Sequence, residues 1–133
     1  MAAAPYIAGM EAELVVPVLN VSDIEQSFAW FAKLGWRRGF AWDPEPGAPP
    51  VFGSVMCGDC EIFLCLDDQG GRGEHGAWMS IWVDDVDAAH ARCVREGLDV
   101  THGPVDEVWH VREVHVRHPD GHTLRLSRAL SVG

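Results

Sequence analysis

Two histidines flank a Pro-Asp-Gly turn near the end of the chain, in the run R-H-P-D-G-H-T-L-R-L-S-R at residues 117–128. Imidazole is the commonest metal ligand among side chains. His118 and His122 therefore mark either the edge of a metal site or a hairpin entering a strand. Arg125 bears on the choice, because a guanidinium is permanently cationic and has no lone pair to donate. His110, Glu113 and His115 lie just upstream. Glu113 and His115 share a face by strand alternation, so they can converge. They and His110 are candidate acid/base groups, and with His118 they are candidate ligands. A third ligand on a second strand is missing, which falls short of a zinc or iron site. Cys57-Gly-Asp-Cys60 has the spacing of a redox or zinc pair. A zinc ribbon needs a second such pair, and Gly58-Asp59 sits between two strand-like runs, so it reads as a hairpin turn. Cys65 is a candidate nucleophile, but no base accompanies it at a spacing that implies catalysis.

These residues sit in a chain of 133 residues, enough for one domain over 1–133 with a real core. No apolar run is long enough to span a bilayer. Glu11 and Glu13 interrupt the stretch where a signal peptide would be apolar. The expectation is a soluble, cytoplasmic protein with reduced cysteines. Ten basic against twenty acidic residues give a net charge of −10. That field repels nucleic acid and anionic membranes and favours cationic partners, besides keeping the chain soluble.

The elements that position the candidates come in two copies. Residues 16–23 (V-P-V-L-N-V-S-D) resemble residues 78–85 (W-M-S-I-W-V-D-D), and both run from strand to helix. An offset of 62 pairs Leu19 with Ile81, Val21 with Val83, Asp23 with Asp85, Ala29 with Ala91 and Gly35 with Gly97. One ungapped offset across a strand, a helix and its terminating glycine signals an internal repeat. Ser22 with Glu25 has the form of a capping box, and Gly35 is placed to end the first helix. Ile24, Phe28, Phe31 and Leu34 give that helix an apolar face, and Val86, Ala89, Cys93 and Val94 do so for the second. Strands follow at 36–42, 51–56 and 61–66, then near 100 and at 111–117 and 122–127. The repeats cover about 13–68 and 76–128, joined by a flexible glycine-rich connector.

The βαβββ repeat, Val21-Ser22-Asp23 with its copy Val83-Asp84-Asp85, and the run Arg112-Glu113 to His118-Pro-Asp-Gly-His122 resemble the vicinal oxygen chelate superfamily. That group includes glyoxalases, extradiol dioxygenases and bleomycin-resistance proteins. The resemblance spans about residues 13–128. It implies an α+β fold of two βαβββ modules, each a curled mixed sheet with a helix on its outer face, the two sheets forming a cup. It also implies a homodimer.

Alternation assigns the cup face independently. Leu19, Val21, Ile81, Val83, Leu64, Leu66, Leu124 and Leu126 fall under the helices. Val16, Val18, Asn20, Phe63, Cys65, Trp78, Ser80, Trp82, Thr123, Arg125 and Ser127 take the other face. The resemblance places the family's four metal ligands at Val16, Cys65, Trp78 and Arg125, with Cys65 paired to Arg125 at an offset of 60. Valine, tryptophan and arginine cannot ligate, so neither a metal nor another cofactor is expected. An aromatic groove remains. Trp78, Trp82 and Phe63 point in, with Trp42 and Trp109 at the rim and Asn20, Ser80 and Arg125 as polar contacts. Trp30 and Trp36 read as packing residues, and Arg125 could instead pair with Glu61. The resemblance is strongest to the bleomycin-resistance branch, which binds drugs without changing them. The expected function is sequestration of a planar or cationic small molecule, with no nucleic-acid or membrane partner. The alternative is an enzyme of lyase, isomerase or dioxygenase type with a non-standard site.

Overall fold

A computed structural model describes residues 9–66 and 69–131. Asp67 and Asp68 of the connector and the first eight residues of the chain lie outside the described residues. The first module runs β1 (Val18–Asn20), α1 (Ile24–Leu34), β2 (Arg37–Trp42), β3 (Phe52–Cys57) and β4 (Cys60–Cys65). The second runs β5 (Trp78–Trp82), α2 (Val86–Arg95), β6 (Asp99–Asp106), β7 (Val111–Arg117) and β8 (Thr123–Ala129). Each module makes one four-stranded sheet, in the orders β1-β4-β3-β2 and β5-β8-β7-β6. The first and last strands of a module's chain order lie side by side in parallel, and the other pairs are antiparallel. This is the expected pair of mixed βαβββ sheets.

Local chemistry sets the helix ends, with one correction. Asp23, not Ser22, caps α1, and its carboxylate accepts from Gln26 N–H. Asp85 caps α2 in the same way, accepting from Ala88 N–H. The two caps are the aligned aspartates of the repeat, and a cap of this kind stabilises a helix by about 1 kcal/mol. Ser22 is diverted because its N–H is taken at 2.9 Å by Asp120 of the other module. Gly35 ends α1 in the left-handed region at φ 100°. Phe28 and Ile24 of α1 lie so close to β3 that a Cβ at Gly53 would sit 2.8 Å from the Phe28 ring.

Both helices cover one continuous core of Leu19, Val21, Ile24, Phe31, Val55, Ile62, Leu64, Val86, Cys93, Val114, Val116, Leu124 and Leu126. Trp30 and Trp36 are buried in it, as packing residues. Val94 is not, at 61% exposed. It lies about 80° round the helix from Val86, off the stripe made by Val86, Ala89 and Cys93. Leu66, one residue past the end of β4, is also exposed.

The register corrects the pairing of the two copies. Phe63 lies opposite Val18 on β1, and Arg125 lies opposite Ser80 on β5. Val21 N–H donates to Cys65 O as Val83 N–H donates to Ser127 O. The offset of 62 thus holds for the last strands too, so Arg125 corresponds to Phe63 and Ser127 to Cys65. The offset of 60 fails by two residues, a slip that keeps every side chain on its own face.

The histidine pair is a clasp between modules. His118 and His122 are buried. Asp120 N–H donates to His118 Nδ1 at 3.0 Å. Its Nε2–H therefore faces Ser27 Oγ on α1, 3.1 Å away. The ring packs edge-on against Trp30, with centroids 4.9 Å apart. Ala77 N–H donates to His122 Nδ1 at 3.0 Å, and His122 Nε2 donates to the carbonyl of Asn20 on β1 at 2.7 Å. Described residues of the connector bond to this region. Gly73 N–H donates to Asp120 O at 2.7 Å, and Asn20 Nδ2 donates to Gly70 O at 3.0 Å.

Burial pushes His118 down to about 4, with the Asp120 carboxylate opposing and His122 adding. The unfolded chain therefore binds the extra proton first as pH falls. Stability from this group is complete above about pH 6.5 and is lost progressively towards pH 4, by about 3 kcal/mol in all. Denaturant titrations from pH 7 to 4 should show a shallower decline for His118→Gln than for the native protein. Parallel declines would remove His118 as the source.

Candidate ligand-binding site

The face of each sheet opposite the helices is open. Among the described elements, α1 and α2 approach each other across the modules, and no strand of one sheet is hydrogen-bonded to a strand of the other. The two open faces differ in chemistry.

The first is aromatic and apolar. Phe63 of β4, Phe52 of β3 and Phe40 of β2 pack together with centroids 5.3–5.7 Å apart. Trp42, Val51, Phe52 and Leu66 line a hollow at its edge. Asn20 is buried, and its side chain turns to Gly70. Cys65 is buried on β4. Phe40 and Phe52 were missed from sequence. Phe52 is legible only once its pairing with Cys65 is known.

The second face holds a polar network under two tryptophans. Trp78, His102, Glu107, Trp109, Glu113, His115 and Arg125 line a hollow of about 300 Å³. Glu113 is buried on β7. Arg125 of β8 makes a very short ion pair with one of its oxygens. Trp109 Nε1–H donates to that oxygen at 3.1 Å, and His115 Nε2 lies 3.1 Å from the other. Arg125 thus pairs with Glu113 and not with Glu61. Burial pushes the Glu113 carboxyl up, but the hydrogen bonds from Arg125, His115 and Trp109 outweigh it and hold it below the usual carboxylate range.

A second histidine stands against the first. The rings of His102 and His115 lie 4.5 Å apart, and His102 Nε2 is 2.7 Å from Glu107 Oε1. Trp78 meets His115 edge-on at 5.6 Å and is 64% exposed. His102 and Glu107 escaped sequence reasoning because β6 shifts register on both sides of His102, which breaks the alternation. His110 takes φ 66° in the turn before β7 and does not line this hollow.

The structure therefore brings together Trp78, Trp109 and Arg125, with Ser80 exposed and opposite Arg125. It keeps Phe63, Trp42, Asn20 and Cys65 on the other sheet. Trp82, 65% exposed, lines a separate cavity beneath α2. Cys65 lies on the first sheet and Glu113 and His115 on the second, so the structure does not pair them as nucleophile and base within one chain. Among the described residues, no three His, Cys, Asp or Glu side chains are grouped to hold a metal ion. Arg125 Nε and Asn20 Oδ1 are buried without a hydrogen-bond partner among the described residues.

Paired βαβββ sheets with open faces define a known class. A model of the Glyoxalase/Bleomycin resistance protein/Dioxygenase superfamily matches residues 13–126, and the chain belongs to that superfamily. Among curated proteins, none matches the sequence. Similar solved structures include TioX from Micromonospora sp. ML1, 20% identical with a TM-score of 0.74 over 90% of this chain and 100% of that one. A bleomycin-binding protein complexed with bleomycin is 18% identical, with a TM-score of 0.71 over 88% of this chain and 98% of that one. A bleomycin resistance determinant encoded on the transposon Tn5 is 19% identical, with a TM-score of 0.73 over 89% and 98%.

Removing Arg125 leaves Glu113 buried with only two donors. Arg125→Leu should lower stability by about 2 kcal/mol at pH 7. The Glu113 carboxyl is depressed, so the native advantage is present where the carboxylate is ionised and fades as acid protonates it. Urea denaturation at pH 7 and pH 4 should show the gap between the two proteins narrowing. A gap that stays constant would mean that the ion pair does not carry it.

Proposed function

We propose that the protein binds a planar, aromatic or cationic small molecule of drug-like or antibiotic-like kind and sequesters it unchanged. The carrying observation is the second open face, where exposed Trp78 and Trp109 stand over a fixed Arg125–Glu113 pair. Tryptophan offers a broad ring face for stacking, and the paired charges orient polar groups of a ligand. The net charge of −10 draws cations towards the site.

The binding groove belongs to a homodimer. A ligand on one open sheet face of a single chain is covered there on one side only. A second copy supplies the missing wall, with the phenylalanine face of one chain over the tryptophan face of the other. Phe63, Trp42 and Asn20 then join Trp78, Ser80, Trp109 and Arg125, while Trp82 stays apart in the cavity beneath α2. No metal takes part in this scheme. The protein works in the cytoplasm, whose reductants return exposed thiols to the reduced state.

The alternative is an enzyme of the superfamily using Glu113 and His115 as acid and base. It is the weaker reading, because a carboxylate held by three donors is a poor proton acceptor.

Bleomycin is the first probe, since one structural neighbour holds it. Titration should quench tryptophan emission saturably, and the recovered bleomycin should be unaltered in mass. Trp78→Ala should weaken binding about tenfold, the loss expected of one stacked ring. Sedimentation should give a dimer. A monomer at micromolar concentration would defeat the shared groove. Equal affinity of Trp78→Ala and native protein for every planar ligand that binds would defeat stacking.

A further inference from the structure

The Cys57-Gly58-Asp59-Cys60 run has no part in that groove. Cys57 and Cys60 are register partners, the last pair of β3 and β4, and only two residues turn between them. Gly58 takes φ 56°, as the first residue of a tight hairpin turn of this kind does. Directly opposed residues of an antiparallel pair stand about 4.5–5.5 Å apart at Cα, within the roughly 4.4–6.8 Å that a disulfide spans. Both residues are exposed free thiols, whereas Cys93 is buried. Cysteine is among the most buried residue types, so two facing each other at a surface turn have no packing reason to be there.

The surroundings leave this turn room to adjust. The matching turn of the other module, around Asp120, is packed by Trp30 and Ser27 of α1 against His118. On α2 the repeat places Arg92 where α1 has Trp30, and Ala89 where α1 has Ser27. Arg92 turns away to the carbonyl of Lys33 at 2.8 Å. A cavity of about 650 Å³ results, lined by Cys57, Cys60, Trp36, Trp82, Ala89 and Arg92, among others.

We propose that Cys57 and Cys60 are a reversible redox pair that a peroxide closes into a disulfide. One thiol attacks the peroxide, the O–O bond breaks, and a sulfenic acid forms with release of water. The second thiol displaces the sulfenic oxygen as another water, and the S–S bond forms. Two thiols and one hydrogen peroxide give one disulfide and two waters, with two electrons passing from sulfur to oxygen. A dithiol reductant reverses the step, and exposed disulfides are the readily reduced ones. Closure fixes one wall of the cavity that holds Trp36 and Trp82.

Intact-mass spectrometry of the native protein, treated with stoichiometric hydrogen peroxide, tests this directly. The expected product is about 2 Da lighter, remains a single covalent chain, and regains its mass with dithiothreitol. Peptide mapping should place the bond between Cys57 and Cys60. Cys57→Ser and Cys60→Ser should each gain about 16 Da, as a sulfenic acid does, without the 2 Da loss. Oxygen addition to the native protein without that loss would overturn the proposal. So would a bond joining two chains, or single variants that respond as the native protein does.

Discussion

The arrangement of the molecule depends on two buried imidazoles. His118 and His122 carry the β7–β8 turn into the first module, where Ser27 Oγ and the Asn20 carbonyl meet them. Burying polar rings is unfavourable unless each nitrogen finds a partner, and here all four do. The partners come from both modules, so neither module satisfies this turn alone. Around it the chain is tight. A Cβ at Gly121 would fall 2.2 Å from the Gly73 carbonyl, and Gly121 takes φ 91°. Glycine is required there on both counts. By fixing the turn, the clasp fixes the start of β8, and with it the position of Arg125 three residues on.

A repeated backbone carries two different surfaces. Position for position, Phe63 corresponds to Arg125 and Cys65 to Ser127. One sheet therefore presents three phenylalanine rings, and the other an ion pair with two histidines and two tryptophans. The cores beneath are alike, since Ile62 and Leu64 match Leu124 and Leu126 under the helices. Packing constrains the helix-side faces in the same way in both copies, while the open faces have diverged. The helices have diverged too. Trp30 on α1 packs against His118, whereas its counterpart Arg92 on α2 reaches the end of the other helix and leaves the equivalent space as a cavity.

Much of this was legible from residue order. The aspartate pair, the two glycines and the apolar stripes locate the helices, and alternation puts Trp78, Ser80 and Arg125 on one face. Register was not legible, because a ladder of alternating leucines looks the same after a two-residue slip. The partner of Arg125 was missed for a similar reason. Glu113 reaches it only through the β7–β8 pairing, and nothing local favours Glu113 over Glu61. The role of His118 and His122 also escaped, since their burial depends on α1 and β1, some hundred residues earlier in the chain. Ser22 shows the same limit. Its neighbours satisfy a local capping rule, but a carboxylate from the other module takes its N–H.

The Glu113 network bears on the choice between binding and catalysis. Burial alone would favour a neutral carboxyl, which suits a general acid. Here Arg125, His115 and Trp109 reverse that tendency and hold the ionised form. An anion held by three donors is costly to protonate and costly to move. It makes a poor shuttle for protons and a rigid floor for recognition, because its donors are oriented before any ligand arrives. Arg125 in turn is paired with Glu113, so an anionic ligand would gain little from it. The chemistry that suits such a floor is a flat, neutral ring. A cationic group on the same molecule would be drawn by the net acidity of the chain.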